Sequence, residues 1–269
     1  MSDETENLIA ASTILLLRDG EAGLEVFMVV RHHQIDFASG ALVFPGGKVD
    51  KGDQQENIRQ LTDGAHLYDD RELYMRVAAI REAYEECGVL LARDSSGRLV
   101  DAARLRELES FREKLNSGEI GIGEFCVEQG LRIAADALTP YAHWITPKMM
   151  PKRFDTLFYL AVAPEDHVAI HDGTESVDSV WIRPHDALAE GQAGTRTIIF
   201  PTRMNILKLS RYATAAEAIE IASATPVVTV MPQLEKRGDK GVLVIPEAAG
   251  YGVTEEPLEA VANVMKVKS

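Results

Sequence analysis

The stretch IREAYEECGV, Ile80 to Val89, sets Arg81, Glu82, Glu85 and Glu86 among small and apolar residues and ends on Gly88 and Val89. At about 100° per residue, Val77, Ile80, Tyr84 and Cys87 share a sector of about 80°, and the three glutamates share an opposed sector of about 100°. The spacing predicts an amphipathic helix from about Arg76 with a wholly acidic outer face, closed by Gly88 in a left-handed conformation. Carboxylates at i, i+3 and i+4 repel by roughly a few tenths of a kcal/mol per pair when solvated, and by more in a cleft. A divalent cation reverses that sign, because hard cations take oxygen ligands and are held by a few carboxylates together with substrate phosphates. A solvated acidic face is the alternative, and the helix alone does not separate the two.

Upstream, ASTILLLRD (Ala11 to Asp19) and LEVFMVVR (Leu24 to Arg31), joined by Gly20 and Gly23, predict a β-hairpin. ALVFPGGKVDKGD (Ala41 to Asp53) is a glycine-rich loop, since Pro45, Gly46, Gly47 and Gly52 break any regular element. Residues 54 to 75 are polar and poorly periodic, and a longer helical region spans Asp101 to Ala137. TLFYLAV (Thr156 to Val162) and VDSVWIR (Val177 to Arg183) predict strands, and Pro184 opens a short helix. Thr214 and Glu217 form a capping box ahead of another helix, after which VVTVM and VLVIP predict a closing strand pair. Strands and helices mixed in this way indicate an α/β or α+β fold. With no internal repeat or low-complexity linker, 269 residues predict one domain carrying insertions at about 54–75 and 101–137 and a C-terminal extension at about 201–269.

The net charge of −14, from 42 acidic and 28 basic residues, argues against nucleic-acid and anionic-membrane partners. An anionic substrate then needs a local remedy such as a metal ion. Cys87 and Cys126 form no CxxC pair, and the acidic N-terminus lacks the basic region of a signal peptide, so a reducing cytoplasmic location is the expectation. The pattern carries no oligomerisation signal, and it allows a homodimer through the helical insertion or the tail.

Arg81, Glu82, Glu85, Glu86, Gly88 and Val89 match the second half of a known signature one for one. The chain resembles the Nudix hydrolase family, whose box reads Gly, five residues, Glu, seven residues, then Arg-Glu-x-x-Glu-Glu-x-Gly and an aliphatic residue. Gly47 stands for the first glycine and Asp53 for the first glutamate, while residues 54 to 80 make a spacer of 27 in place of seven. A junction absorbs such an insertion because loop-closure entropy grows only logarithmically with length. The split box is similar to that of the coenzyme A and acyl-coenzyme A diphosphatases of the family. So is the segment upstream, with Arg31, Gly40, Phe44, Pro45, Gly46 and Gly47 at that subgroup's spacings but His32 for a small residue and Asp36 for a second arginine. TPKMMPKRFDTLFYLA extends the likeness towards the C-terminus.

The resemblance implies an α/β/α sandwich with a mixed sheet, and metal-dependent hydrolysis of a phosphoanhydride with Mg²⁺ or Mn²⁺ as cofactor. Coenzyme A or acyl-coenzyme A is the leading substrate. ADP-ribose, NADH or another nucleoside diphosphate derivative is the alternative, and a non-catalytic nucleotide-sensing module the third reading. Glu85 and Glu86 would be the main metal ligands, Glu82 a further ligand or the general base, Arg81 the residue that orients them, and the Gly46 carbonyl an added ligand. Arg31, Gly47, Lys48 and Arg153 are candidate substrate contacts, with Lys152 beside them, and Asp53 and Glu175 are uncertain carboxylates. Met149 and Met150 beside Trp144 would line an apolar groove or pack a core. The adjacent His32 and His33 have no ligand spacing and are expected at the surface.

Overall fold

The run Ile14-Leu15-Leu16-Leu17 is apolar at every position, and the computed structural model, which describes residues 8–31, 40–167, 169 and 176–259, shows why. These residues lie in β1 (Leu8–Gly20), which is covered on both faces: Ile14 and Leu16 enter one core, Leu15 and Leu17 the other. The predicted hairpin is present, β1 turning into β2 (Gly23–Arg31) with Gly20 opposite Gly23 and Leu17 opposite Val26. Beyond Leu17 and Val26 the strands part. β3 (Leu42–Val43) pairs with β2 and β4 (Gly46–Lys48) with β1, so Phe44 and Pro45 cross a fork between them. The Ile14 N–H donates to the Pro45 carbonyl at 2.9 Å and closes the fork.

Residues 54 to 75 are more regular than their composition suggests. A 3₁₀ turn at Gly52–Gln54, α1 (Ile58–Leu61) and a second 3₁₀ turn at Ala65–Leu67 lead into α2 (Asp70–Cys87). Thus α2 starts six residues before the predicted Arg76, because the Asp69 carboxylate accepts the Glu72 N–H at 2.8 Å and caps it there. Its far end is as predicted, with Gly88 left-handed at φ 67° and its N–H bonded to the Tyr84 carbonyl. Val77, Ile80, Tyr84 and Cys87 are buried as expected, but so are Arg81 and Glu85. The acidic face is therefore not an outer one: it is turned onto β4 and the 3₁₀ turn at Gly52–Gln54.

The helical region at 101 to 137 resolves into α3 (Ala102–Asn116) and α4 (Ile122–Gln129), flanked by the small pair β5 (Ala92–Arg93) and β6 (Arg132–Ile133). β7 (Thr139–Ile145) and β8 (Arg153–Val162) are antiparallel, and β8 runs parallel to β1 from Arg153 opposite Leu8 to Val162 opposite Leu17. β9 (Ser176–Ile182) pairs with β2, followed by α5 (Pro184–Ala193), α6 (Phe200–Leu209) and α7 (Ala215–Ala224). Leu108, Phe125 and Tyr84 from α2 to α4 fill one core; Ala187, Met204 and Ala218 from α5 to α7 fill the other. The result is the predicted α/β/α sandwich around a mixed sheet.

The tail departs from prediction. In VVTVM, β10 (Thr229–Val230) joins the main sheet parallel to β7, whereas VLVIP contributes to β12 (Lys240–Val244), between β11 (Gln233–Arg237) and β13 (Glu255–Pro257). The two segments do not pair because α7 delivers the chain to the open edge of β7 first. The α7 cap is a shifted box: Thr214 Oγ1 accepts from the Glu217 N–H, while the Glu217 carboxylate accepts from the Ala213 N–H. Tyr251 ties the tail down, its hydroxyl accepting from Trp144 Nε1 and donating to Asn205 Oδ1, both at 2.9 Å.

Candidate active site

The site is built outward from one buried guanidinium. Arg81 Nε and Nη2 donate to the two Asp53 carboxylate oxygens at 2.9 and 3.1 Å, and Nη2 also donates to the Lys48 carbonyl at 2.9 Å. Nη1 serves Glu85 Oε2 at 2.7 Å and Glu82 Oε1 at 3.0 Å. Asp53 is fully buried and accepts a third bond from the Asp50 N–H at 2.7 Å. The inserted segment thus folds back on itself, and residues 28 apart in sequence form a bidentate pair. Asp53 closes the site as the counter-ion of Arg81.

Two glutamates press on the glycine turn. Glu86 Oε2 accepts the Gly46 N–H at 3.1 Å. A methyl group at Gly47 would collide with the Glu82 carboxylate, and one at Gly46, whose φ is 152°, with the Ser12 carbonyl. Only glycine lets the loop approach the acidic helix this closely.

Burial pushes the Asp53 and Glu85 carboxyls up, and Arg81 pulls each part of the way back. Burial also opposes the charge on Arg81, but Glu82, Asp53 and Glu85 outweigh it and hold the guanidinium protonated. Among the described residues no three acidic, His or Cys side chains already converge as a metal site, since Glu82 and Glu85 are drawn to the same Nη1. The donor chemistry nevertheless fits a hard divalent cation. Glu82 and Glu86 offer oxygen ligands at the glycine turn and Glu85 offers another beside them on Arg81, Asp50 and Asp53 add negative charge, and Arg81 balances only part of it.

Lys48 is exposed on β4. Arg31 ends β2 on the other arm of the fork, its N–H donating to the Ala41 carbonyl. Arg153 is not brought to the glutamates: β8 lies across β1 from β4, and the Arg153 guanidinium turns to the Thr146 carbonyl at 3.1 Å and Met231 Sδ at 3.7 Å. Lys152 lies over the Phe154 ring. Trp144 packs in the core against Phe200 and Tyr251 while Met149 is exposed, so they line no common groove. His32, His33, Asp36 and Glu175 lie outside the described residues. Asp50 was not singled out by sequence; its place in the D-x-x-D run of Asp50 and Asp53 was the available signal. A cavity of about 420 Å³ lies at the other end of α2, lined by Asp69, Arg71, Glu72, His143, Leu157 and Tyr159, and Glu82, Glu85 and Glu86 are not among its lining residues.

Residues 63–209 match the NUDT19 Nudix domain family. The chain is 29% identical over 202 residues to putative nudix hydrolase 7 of Caenorhabditis elegans, covering 75% of this chain and 60% of that protein. It is 24% identical over 229 residues to the acyl-coenzyme A diphosphatase NUDT19 of Xenopus laevis, covering 70% and 60% respectively. The match thus spans 60% of the length of each relative. A crystal structure of a NUDIX hydrolase from Alicyclobacillus acidocaldarius superposes with a TM-score of 0.68 at 26% identity, over 83% of this chain and 99% of the other.

Proposed function

This chain belongs to the Nudix hydrolase family, and from that premise we propose that it cleaves the diphosphate of coenzyme A or an acyl-coenzyme A, giving adenosine 3′,5′-bisphosphate and (acyl) phosphopantetheine. The observation that carries the reading is the pressing of Glu82 and Glu86 onto the Gly46-Gly47 turn beside the Arg81 hub. The relative described as an acyl-coenzyme A diphosphatase supports the substrate class, as does the Phe44-Pro45-Gly46-Gly47 run upstream. The burial of tail residues such as Leu243, Ile245 and Tyr251 in the core of α5 to α7 supports one domain.

Nudix hydrolases generally use divalent cations, and Glu82, Glu85, Glu86 and the Gly46 carbonyl would hold one here. When bound, it neutralises charge on the diphosphate and acidifies water. The rest falls to the chain. Arg81 keeps its charge and fixes Glu85 and Asp53. A carboxylate oxygen of this cluster left off the ion, on Glu82 or a neighbour, accepts the proton of the attacking water. The water oxygen bonds to one phosphorus, the bridging P–O bond breaks, and the released phosphate carries away the electron pair. Lys48, exposed on β4, is the candidate cation for the substrate's phosphates. No helix among the described residues is long and apolar enough to cross a membrane.

A mass-resolved product assay over coenzyme A esters, ADP-ribose and dinucleotides, with Mg²⁺ and with Mn²⁺, tests this. Adenosine bisphosphate and phosphopantetheine masses support it. Intact coenzyme A beside hydrolysed ADP-ribose or NADH moves the substrate to the alternative, and binding without hydrolysis of anything moves the chain to a sensing role.

A further inference from the structure

The last turn of α2 carries Glu85 and Glu86, and a helix end leaves its final carbonyls without intrahelical partners. α2 has no basic residue of its own in that turn. The cation there comes from α3: Arg112, whose side chain is 14% exposed, donates from Nε to the Glu85 carbonyl oxygen at 2.9 Å. Two further contacts fasten the same turn to the inserted helices. Tyr84 donates its hydroxyl to the Leu108 carbonyl at 2.6 Å, and its ring stacks on Phe125 of α4 at 5.7 Å between centroids, Phe125 resting in turn on Phe111. Gly88 leaves room for the arrangement, since a Cβ there would lie 3.2 Å from Arg112 Nη1.

We propose that Arg112 is a positioning residue for the carboxylates of α2, which makes the α3–α4 insertion a rest for the catalytic helix. This builds on the reading of Glu82, Glu85 and Glu86 as metal ligands. The bonded carbonyl and the Glu85 carboxylate belong to one residue, so a last turn free to fray carries its ligand atoms with it, and direct ligation tolerates only about 0.2 Å of error. The guanidinium also places positive charge at the negative end of the helix dipole, beside the crowded glutamates. Arg81 acts from inside the box by gripping the side chains; Arg112 acts from outside by gripping the backbone.

The test compares the full-length wild type, Arg112→Gln, Arg112→Lys and Glu86→Gln. Manganese binding to the metal-free proteins is followed by electron paramagnetic resonance, with kcat, KM and melting temperature measured beside it. Arg112→Gln should bind Mn²⁺ about ten- to a hundredfold more weakly, the usual loss when an outer-shell support is removed. It should lose kcat with little change in the nucleotide KM. Arg112→Lys, which keeps the charge but not the planar fork, should lie between, and it decides the matter if the glutamine variant does not fold. Wild-type Mn²⁺ affinity in either variant, with only a lowered melting temperature, would reduce Arg112 to a structural tie and overturn the proposal. Wild-type Mn²⁺ affinity in Glu86→Gln would remove the ligand reading itself, and this inference with it.

Discussion

Replacing Asp53 by Asn separates a counter-ion role from a ligand role. The wild-type carboxylate accepts three bonds: from Arg81 Nε, from Arg81 Nη2 and from the Asp50 N–H. An asparagine keeps two of them by placing its Oδ1 towards Nη2 and the Asp50 N–H, which sets its NH₂ group against Nε–H. One charge-assisted bond is lost, worth about 1.5–3 kcal/mol, and a donor–donor contact is added in a site with no exposure. Removing one partner of a buried pair costs about 3–5 kcal/mol when the other charge is left alone. Here Glu82 and Glu85 still hold Arg81, so about 2–4 kcal/mol is expected. At roughly 2–3 °C per kcal/mol for a chain of this size, the melting temperature should fall by roughly 4–12 °C. Calorimetry with Mn²⁺ and without it provides the assay: the loss should appear in metal-free protein. A variant that melts within about 1 °C of wild type without metal, and differs only with metal present, would make Asp53 a ligand and refute the counter-ion account.

Gly47→Ala should lower turnover by about a hundredfold, the scale of a small misplacement at a reacting centre. Its melting temperature should stay near wild type, because the three atoms nearest the added methyl all belong to the end of the Glu82 side chain; kinetics and thermal melting together check this, and a purely thermal effect would contradict it. Tyr251→Phe leaves the buried Trp144 N–H without its acceptor, so urea unfolding should show a loss of about 1–3 kcal/mol. Burial works against the Asp155 carboxylate, but bonds from His143 at 2.5 Å and Arg71 at 2.6 Å outweigh it and lower its pKa below the ordinary 3.8. A depressed folded-state pKa gives stability that is present above that value and lost as pH falls through the lower one. Asp155→Asn should therefore destabilise at neutral pH, and the gap from wild type should close in acid unfolding experiments below about pH 4; a gap that widens there would reverse the assignment.

The parts of the fold legible in the sequence are those whose signals are local. The hairpin followed from Gly20 and Gly23, and the inner face of α2 from Val77, Ile80, Tyr84 and Cys87, each set by neighbours a few residues away. The start of α2 was legible too, in Asp69-x-x-Glu72, but the polar run around it hid the cap. Non-local pairing was not legible. Periodicity opposed the glutamates to the core, yet only the fork in the sheet shows that β4 covers them. The same holds for Asp53, whose tie to Arg81 depends on how a 27-residue spacer folds. VVTVM likewise found its partner on β7, in an edge left open far upstream. Arg153 is a candidate substrate contact by its charge and its segment, and only the strand order shows that it lies across β1 from β4, away from the glutamates.

The most direct test of the central claim is an anomalous difference map from crystals of the wild-type protein soaked in manganese. Binding should release Glu82 from Arg81 and bring it with Glu85 and Glu86 around one peak at the Gly46-Gly47 turn, within direct-ligand distance of the three carboxylates. Crystals at full soak that show no peak there, with Glu82 and Glu85 still shared on Arg81 Nη1, would contradict the account.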